Sequence, residues 1–306
     1  MSLVSVILAV YNCEQYIRES LDSLVYQSYD DLEILVCDDC STDKTWDILR
    51  SYNDFRILLY RNETNKGVVI TRNSLLSKAK GDYLVIQDAD DWSEKNRIKL
   101  LVEEFNKDDN LDACGTACYR ISNTGLISAL SRPDSFYLEM DDCMNLPFMP
   151  ATLMLRKSVY NQLGGYNDYF SGLYAEDLYW VMRMVEKHKV LYLNVPLYYY
   201  RFNSQSITNT VGRKDKLVVI DLIQQLIDQR KQLGTDWIEQ NDRESIAKFV
   251  TDRFKDKVWL SEKYRIVAAV QRDGKKRRIA LKMIVKAILY NPFSLQNYVT
   301  LRYVLS

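Results

Sequence analysis

Asp88 and Asp90, in the run Gln87-Asp88-Ala89-Asp90-Asp91, stand one residue apart directly after the apolar stretch Tyr83-Leu84-Val85-Ile86. A strand that delivers two carboxylates into a loop offers oxygen ligands to a hard divalent cation, and such cations commonly travel with a diphosphate. The spacing alone is weak, because aspartates are frequent in turns that follow strands. A second acidic pair, Asp38-Asp39, ends the apolar run Glu33-Ile34-Leu35-Val36-Cys37 and leads into Cys40-Ser41-Thr42-Asp43. By itself that segment reads first as turn and cap chemistry, with Ser41 or Thr42 capping a helix that starts near Lys44. A third pair, Glu176-Asp177, follows the turns Gly164-Gly165-Tyr166 and Ser171-Gly172 and opens the helical run Leu178 to Val185. Acids at a helix start are favoured by the macrodipole alone, but a buried carboxylate there can also take a proton from an attacking hydroxyl. Arg72, after Asn65-Lys66-Gly67, reads either as a solvated helix residue or as a cation that shares the charge of a departing diphosphate.

These residues need elements to hold them. Val4 to Val10 reads as a fully buried strand ending at Tyr11-Asn12, and a helix follows with Tyr16, Ile17, Leu21, Leu24 and Val25 on one face. Asp39 then falls at the carboxyl end of the next strand, the edge where open α/β sheets bind ligands. Further strands are expected at Ala113 to Tyr119, Thr152 to Leu155 and Val190 to Leu193. From about Asp215 the pattern turns helical, so a boundary is placed in Ser204 to Arg213. Neither an internal repeat nor a low-complexity stretch interrupts it.

The ordered set of strand-Tyr-Asn, Asp-Asp-x-Ser-Thr-Asp, Asn65-x-Gly67, Arg72-Asn73 and Asp88-Ala-Asp90-Asp91 resembles the family 2 glycosyltransferases of the GT-A fold, over residues 3 to about 205. Five motifs in order are far more specific than any one. The resemblance implies a Rossmann-like, mostly parallel mixed sheet flanked by helices, with a nucleotide-sugar half over about 1–115, an acceptor half over about 116–205, and a helical extension over 206–306. It also implies donor contacts from Ala9, Tyr11, Glu14, Asp39, Arg72, Asp88 and Ala89, a Mn2+ or Mg2+ ion on Asp90, Asp177 as base and Glu176 on the acceptor hydroxyl. Two positions depart from the pattern: Cys40 replaces the usual glycine, and Asn203 stands where many relatives carry a histidine.

Composition sets outer bounds. The 306 residues, 47% hydrophobic, suffice for one large core plus a smaller subdomain. No stretch approaches the roughly 18 uninterrupted apolar residues of a membrane span, and no charged-then-apolar leader opens the sequence. The expected location is therefore cytoplasmic. Six cysteines with a single His188 argue against structural zinc, and reduced thiols are expected. A Ser-His-Asp triad is equally unsupported. Most of the 22 tyrosines read as half-buried packing residues.

The net charge of zero conceals an asymmetry: residues 274–306 carry seven Lys or Arg and no Asp or Glu. Helical spacing groups Lys275, Arg278, Lys282 and Lys286 opposite Leu281, Ile284 and Ile288. The expectation is a basic amphipathic helix lying on the inner face of the cell membrane, with packing on the catalytic domain or a homo-oligomer contact as alternatives. Nucleic acid is not expected as a partner, because the cations lack a recognised module.

Together these features predict metal-dependent inverting transfer of a sugar from a nucleoside diphosphate, UDP foremost, to a glycan hydroxyl; the resemblance implies a polyprenyl-diphosphate-linked oligosaccharide as acceptor. A sugar nucleotidyltransferase is a rival reading, but a glycine-rich basic phosphate loop is missing after Val10. A non-catalytic sugar-nucleotide-binding or scaffold protein is another, and the intact Asp39, Asp88, Asp90 and Asp177 argue against it. The segment Ser131 to Pro150 is assigned to the variable acceptor side, and specificity within it rests on pocket shape.

Overall fold

A computed structural model describes residues 2–121, 125, 127–201, 214–274 and 276–306. They fall into two compact units, Met1–Asn203 and Ser204–Ser306. In the first, β1 (Val4–Val10), α1 (Ile17–Val25), β2 (Leu32–Asp38), α2 (Thr45–Arg50), β3 (Ile57–Arg61), α3 (Val68–Lys78) and β4 (Tyr83–Asp88) alternate to build a parallel half-sheet in the order β3-β2-β1-β4. There follow β5 (Trp92–Ser93), α4 (Arg97–Lys107), β6 (Ala113–Ile121), β7 (Ile127–Leu130), β8 (Phe136–Tyr137), β9 (Met154–Arg156), α5 (Lys157–Leu163), α6 (Glu176–Lys187) and β10 (Val190–Arg201). The sheet continues β4-β9-β6-β10-β5, with β9 antiparallel to both β4 and β6 and β10 parallel to β6. The expected mixed, largely parallel α/β sheet with helical cover is therefore the fold observed.

The apolar runs follow from where the strands lie. Every residue of β2 is buried, as befits a parallel strand covered on both faces. Val4, Val6 and Leu8 of β1 pack with Ile17, Leu21 and Leu24 of α1 and with Ile98, Leu101 and Phe105 of α4. The spacing in both helices is that of one apolar stripe, and each such side chain contributes roughly 1.5–3 kcal/mol when fully buried. Ala9 sits beside Cys37 on one side and Asp88 on the other, so the loops after β1, β2 and β4 leave the sheet at a shared edge. Strand order reverses there, which opens a crevice outside the carboxyl ends.

Several local expectations change. Neither Ser41 nor Thr42 caps α2: the Asp43 carboxylate accepts the Thr45 N–H at 3.0 Å, and the Ser41 hydroxyl accepts the Asn12 N–H at 2.9 Å. The strand expected at Thr152 starts at Met154, because Pro150–Thr152 forms a 3-10 turn. The strand expected at Val190 to Leu193 runs on to Arg201, since its tyrosines find partners on β6 and β5. His188 lies just past the end of α6 with its side chain largely buried, 3.4 Å from Asp112.

The second unit contains α7 (Val219–Leu233), α8 (Arg243–Arg253), α9 (Lys257–Asp273), α10 (Arg277–Tyr290) and α11 (Leu295–Leu305). Asp242 and Asp256 cap α8 and α9 through backbone N–H groups. Trp259, Leu260, Tyr264 and Ala268 of α9 form a core with Ala280, Met283, Ile284 and Ala287 of α10 and Val304 of α11. That packing takes up the apolar face expected of the basic helix, with Ile284 in this core and Leu281 and Ile288 packed against it. Lys275, Asn203 and the expected boundary, Ser204 to Arg213, lie outside the described residues. Among the described residues no helix is long and apolar enough to cross a membrane.

Candidate active site

The loops after β1 and β2 are knitted together before any ligand is considered. Thr42 N–H donates to Asn12 Oδ1 at 2.9 Å, Cys13 N–H to Thr45 Oγ1 at 2.8 Å, and Lys44 N–H to Glu14 Oε2 at 2.9 Å. Glu14 is otherwise exposed, while Tyr11 leaves half its surface open at the end of β1. Asn12 and Cys40 hold φ near 47° and 63°, a left-handed backbone that glycine adopts without penalty. Cys40 thus occupies a glycine-favouring turn position and supports it by pointing its thiol at the Glu63 carbonyl, 3.4 Å away.

Asp38 and Asp39 divide the work between them. Asp38 is fully buried and pairs with Arg61 at 3.0 Å, a structural role. Asp39 accepts hydrogen bonds from Asn62 Nδ2 at 2.7 Å and the backbone N–H groups of Lys66 at 2.9 Å and Gly67 at 2.8 Å. Its carboxylate therefore shapes the loop that starts α3 and keeps one of about four lone-pair positions for a further donor. Gly67 takes φ 84° at the start of that helix.

One turn into α3, Arg72 is buried and hydrogen-bonds the Asp88 carboxylate, with Glu176 Oε1 a further 3.8 Å contact. Burial works against its charge, but Asp88, Tyr166, Glu176 and Asp177 outweigh this and hold its pKa above the usual value. Next to it, Asn73 donates to the Tyr166 carbonyl and accepts from the Tyr166 N–H, both at 2.8 Å. A Cβ on Gly165 would meet Asn73 Oδ1 at 2.2 Å, so only glycine admits this clamp. Helix α3 thereby ties the nucleotide-side loops to the segment preceding α6.

Glu176 and Asp177 occupy the first turn of α6. Tyr174 and Ala175, just before them, take φ near 71° and 68°. Two adjacent left-handed residues that are not glycine cost on the order of 1–2 kcal/mol each, a strain of the kind concentrated at working sites. Burial, and then Asp177, raises the Glu176 pKa from 4.5 to about 7 against the pull of Arg72. Burial also raises Asp177 above its usual 3.8, with Arg72 opposing; some of its surface stays open, yet it lies deep among these groups. Both carboxylates thus hold protons more tightly than free side chains do.

The Asp88-Ala89-Asp90-Asp91 loop rests on residues that sequence reasoning missed. Arg97, fully buried, donates to Gln87 Oε1 at 3.0 Å, Ser93 Oγ at 2.9 Å and the carbonyls of Ile86 at 3.1 Å and Ala151 at 2.9 Å. It lies over the ring of Tyr198, whose hydroxyl accepts the Asp88 N–H at 3.1 Å. Arg201 donates its backbone N–H to Asp91 Oδ1 at 2.7 Å and its Nε to the Asp90 carbonyl at 3.0 Å. Asp91 is buried, and burial with Asp88 and Asp90 nearby pushes its pKa well up, so it braces the loop from beneath. Nothing in the spacing of Arg97, Tyr198 or Arg201 signals this, because α4 and β10 bring them to the loop from distant parts of the chain.

Ala89 keeps partial exposure, and its carbonyl accepts the Cys13 thiol at 3.3 Å; burial, with Asp90 adding, raises that thiol's pKa to about 12. Asp90 remains half-buried at the loop's tip. Among the described residues no group of three or more His, Cys, Asp and Glu could by itself hold a metal ion. The donor set nevertheless fits a hard cation that keeps waters and phosphate oxygens as most of its ligands, as Mg2+ does. Away from these groups, Arg132, Pro133, Asp134, Phe136, Asp141, Asp142 and Asn145 line a cavity of about 430 Å3 within the segment assigned to the acceptor side. None of the site residues reaches it.

Comparison with known proteins gives the family and the fold. Glycosyl transferase family 2 matches over residues 5–164. EpsE of Bacillus subtilis (strain 168), a glycosyltransferase by name, is 35% identical over 190 residues, 60% of this chain and 67% of its own length. The Escherichia coli UDP-Glc:alpha-D-GlcNAc-diphosphoundecaprenol beta-1,3-glucosyltransferase WfaP is 45% identical over 98 residues, 32% of this chain. The chain spans only 39% of WfaP. The crystal structure of S. aureus TarS 1-349 in complex with UDP-GlcNAc superposes with a TM-score of 0.65 over 98% of this chain and 91% of that one, at 20% identity. The chain thus belongs to glycosyl transferase family 2, as a glycosyltransferase with the GT-A type of fold.

Proposed function

We propose that this enzyme moves a sugar from a nucleoside diphosphate, UDP foremost, to a glycan hydroxyl with inversion at the anomeric carbon, in assembly of a cell-surface polysaccharide. The observation that carries this reading is Arg72, a buried cation joined to Asp88 on the donor side and to Glu176 beside Asp177. A single residue then couples the diphosphate end of the donor to the proposed base.

Each residue has a part in this scheme. The exposed ring of Tyr11, with Ala9 beside it, faces the nucleoside base, and the spare lone pair of Asp39 accepts a base N–H. Asp88 meets the ribose next to Ala89, with Glu14 holding the loop that frames the donor. Mg2+ or Mn2+ at Asp90, when bound, supplies charge compensation to the leaving diphosphate. Arg72 adds a fixed positive charge there without exposing it to water. Asp177 takes the acceptor hydroxyl proton as the new C–O bond forms and the anomeric carbon–diphosphate bond breaks; Glu176 orients that hydroxyl. The nucleoside diphosphate leaves with the bonding electron pair.

The WfaP name joins a UDP-Glc donor to a diphosphoundecaprenol-linked acceptor, and TarS crystals hold UDP and UDP-GlcNAc. Both favour a UDP-sugar here, and the WfaP name favours a lipid-diphosphate-linked glycan as acceptor. Calorimetric titration with a panel of nucleotide sugars, with Mn2+, with Mg2+ and with chelator, tests the reading. The expected result is a UDP-sugar that binds tightly only with the metal present; no binding of any nucleotide sugar under any of these conditions would overturn it.

A further inference from the structure

Helix α11 is built inside out. Its buried positions are Asn297, Thr300 and Val304, whereas Leu295, Tyr298, Val299 and Tyr303 face solvent. Asn297 is held inside by hydrogen bonds from its Nδ2 to Ser261 Oγ at 2.9 Å, the Ala287 carbonyl at 3.2 Å and the Asn291 carbonyl at 2.9 Å. The apolar side chains were therefore not left outside for want of a polar alternative. Around the turn from α10 they are joined by Leu289 at 77% exposure and Phe293 at 93%, next to Leu295 at 81%. A cluster of this kind marks an interaction surface.

Cations border it. On α10 the exposed Arg278, Lys282, Val285 and Leu289 follow helical spacing along one stripe, with the cations toward its start and the apolar residues toward the turn. Arg302 is exposed on α11, and no Asp or Glu occurs anywhere in residues 274–306. We propose that this face, centred on Leu289, Phe293 and Leu295, docks the enzyme on an anionic phospholipid bilayer. Apolar side chains enter the headgroup boundary while the bordering cations meet phosphate. A second copy of the chain is a poorer occupant, because an isologous contact would bring the cations of two such faces together, with Asp273 beside Tyr303 as an acid at the edge. The lipid-contacting apolar residues are thus at the turn between α10 and α11, while the face of α10 that the periodicity singled out packs against α9.

Flotation of the full chain with phosphatidylcholine vesicles, with and without phosphatidylglycerol, tests this inference independently of the donor site. Wild type should float with the anionic vesicles at low salt and dissociate as salt is raised. Arg278→Gln with Lys282→Gln should weaken partitioning roughly 25-fold, about fivefold per surface cation. Leu289→Ser, Phe293→Ser and Leu295→Ser together should weaken it at least tenfold with donor hydrolysis unchanged and thermal unfolding little changed, since these side chains are mostly exposed. Phe293→Trp, which keeps the face apolar, should gain blue-shifted emission on anionic vesicles relative to wild type. Absence of wild-type flotation, or equal flotation by the triple variant, would overturn the proposal. So would a wild-type dimer in sedimentation that the triple variant dissolves without any vesicle binding, which assigns the face to a second copy.

Discussion

Glu176→Gln should make the protein more stable at pH 8 while impairing transfer. In the folded state burial and Asp177 raise the Glu176 pKa to about 7 from its ordinary 4.5. Between those values the folded chain holds a proton that the unfolded chain has released, so stability falls as pH rises through this window and levels off above about 7. At 1.36 kcal/mol per pH unit the full cost is about 3.4 kcal/mol, of which about 0.8 kcal/mol is already present at pH 5. A glutamine never ionises and escapes this cost. The gain at pH 8 should therefore exceed the gain at pH 5 by about 2.5 kcal/mol. Taking the difference between the two pH values cancels whatever the amide gains or loses in packing or against Arg72 when Glu176 is neutral. Urea denaturation of both proteins at both pH values measures it, and activity on a donor and acceptor reports the cost to function. A variant whose advantage is the same at pH 5 and pH 8, or larger at pH 5, refutes the placement of a buried, tightly protonated carboxyl at the start of α6.

Asp177→Asn should leave donor affinity near wild type and reduce transfer by roughly 10² to 10⁴ fold, the range of a missing general base; loss of donor binding with turnover intact would instead make it a binding residue. Asp90→Asn should abolish the metal dependence of donor binding and most turnover without changing the unfolding midpoint, since a neutral amide is a poor hard ligand; an unchanged metal response in calorimetry removes Asp90 from the site. At Cys40, whose φ is near 63°, glycine should be at least as well tolerated as cysteine, and valine should be the worse of the two by at least about 1 kcal/mol in chemical denaturation.

The sequence alone was sufficient for the central strands, because Val4 to Val10, Leu32 to Asp38 and Tyr83 to Asp88 are apolar runs cut off by acids or polar turns, and local pattern encodes burial on both faces. Asp39, Arg72, Asp88 and Asp177 could be singled out as candidates because their order along the chain carries the family's spacing. The tertiary structure decided what they touch. Arg72 meets Glu176 only after α3 and α6 are packed, and Arg97 of α4 and Tyr198 and Arg201 of β10 reach the Asp88-to-Asp91 loop from two separate elements. It likewise decided that the apolar face of α10 is core and that of α11 is surface. Periodicity records which residues share a helix face, while the partner that covers that face is chosen by contacts between residues far apart in the chain.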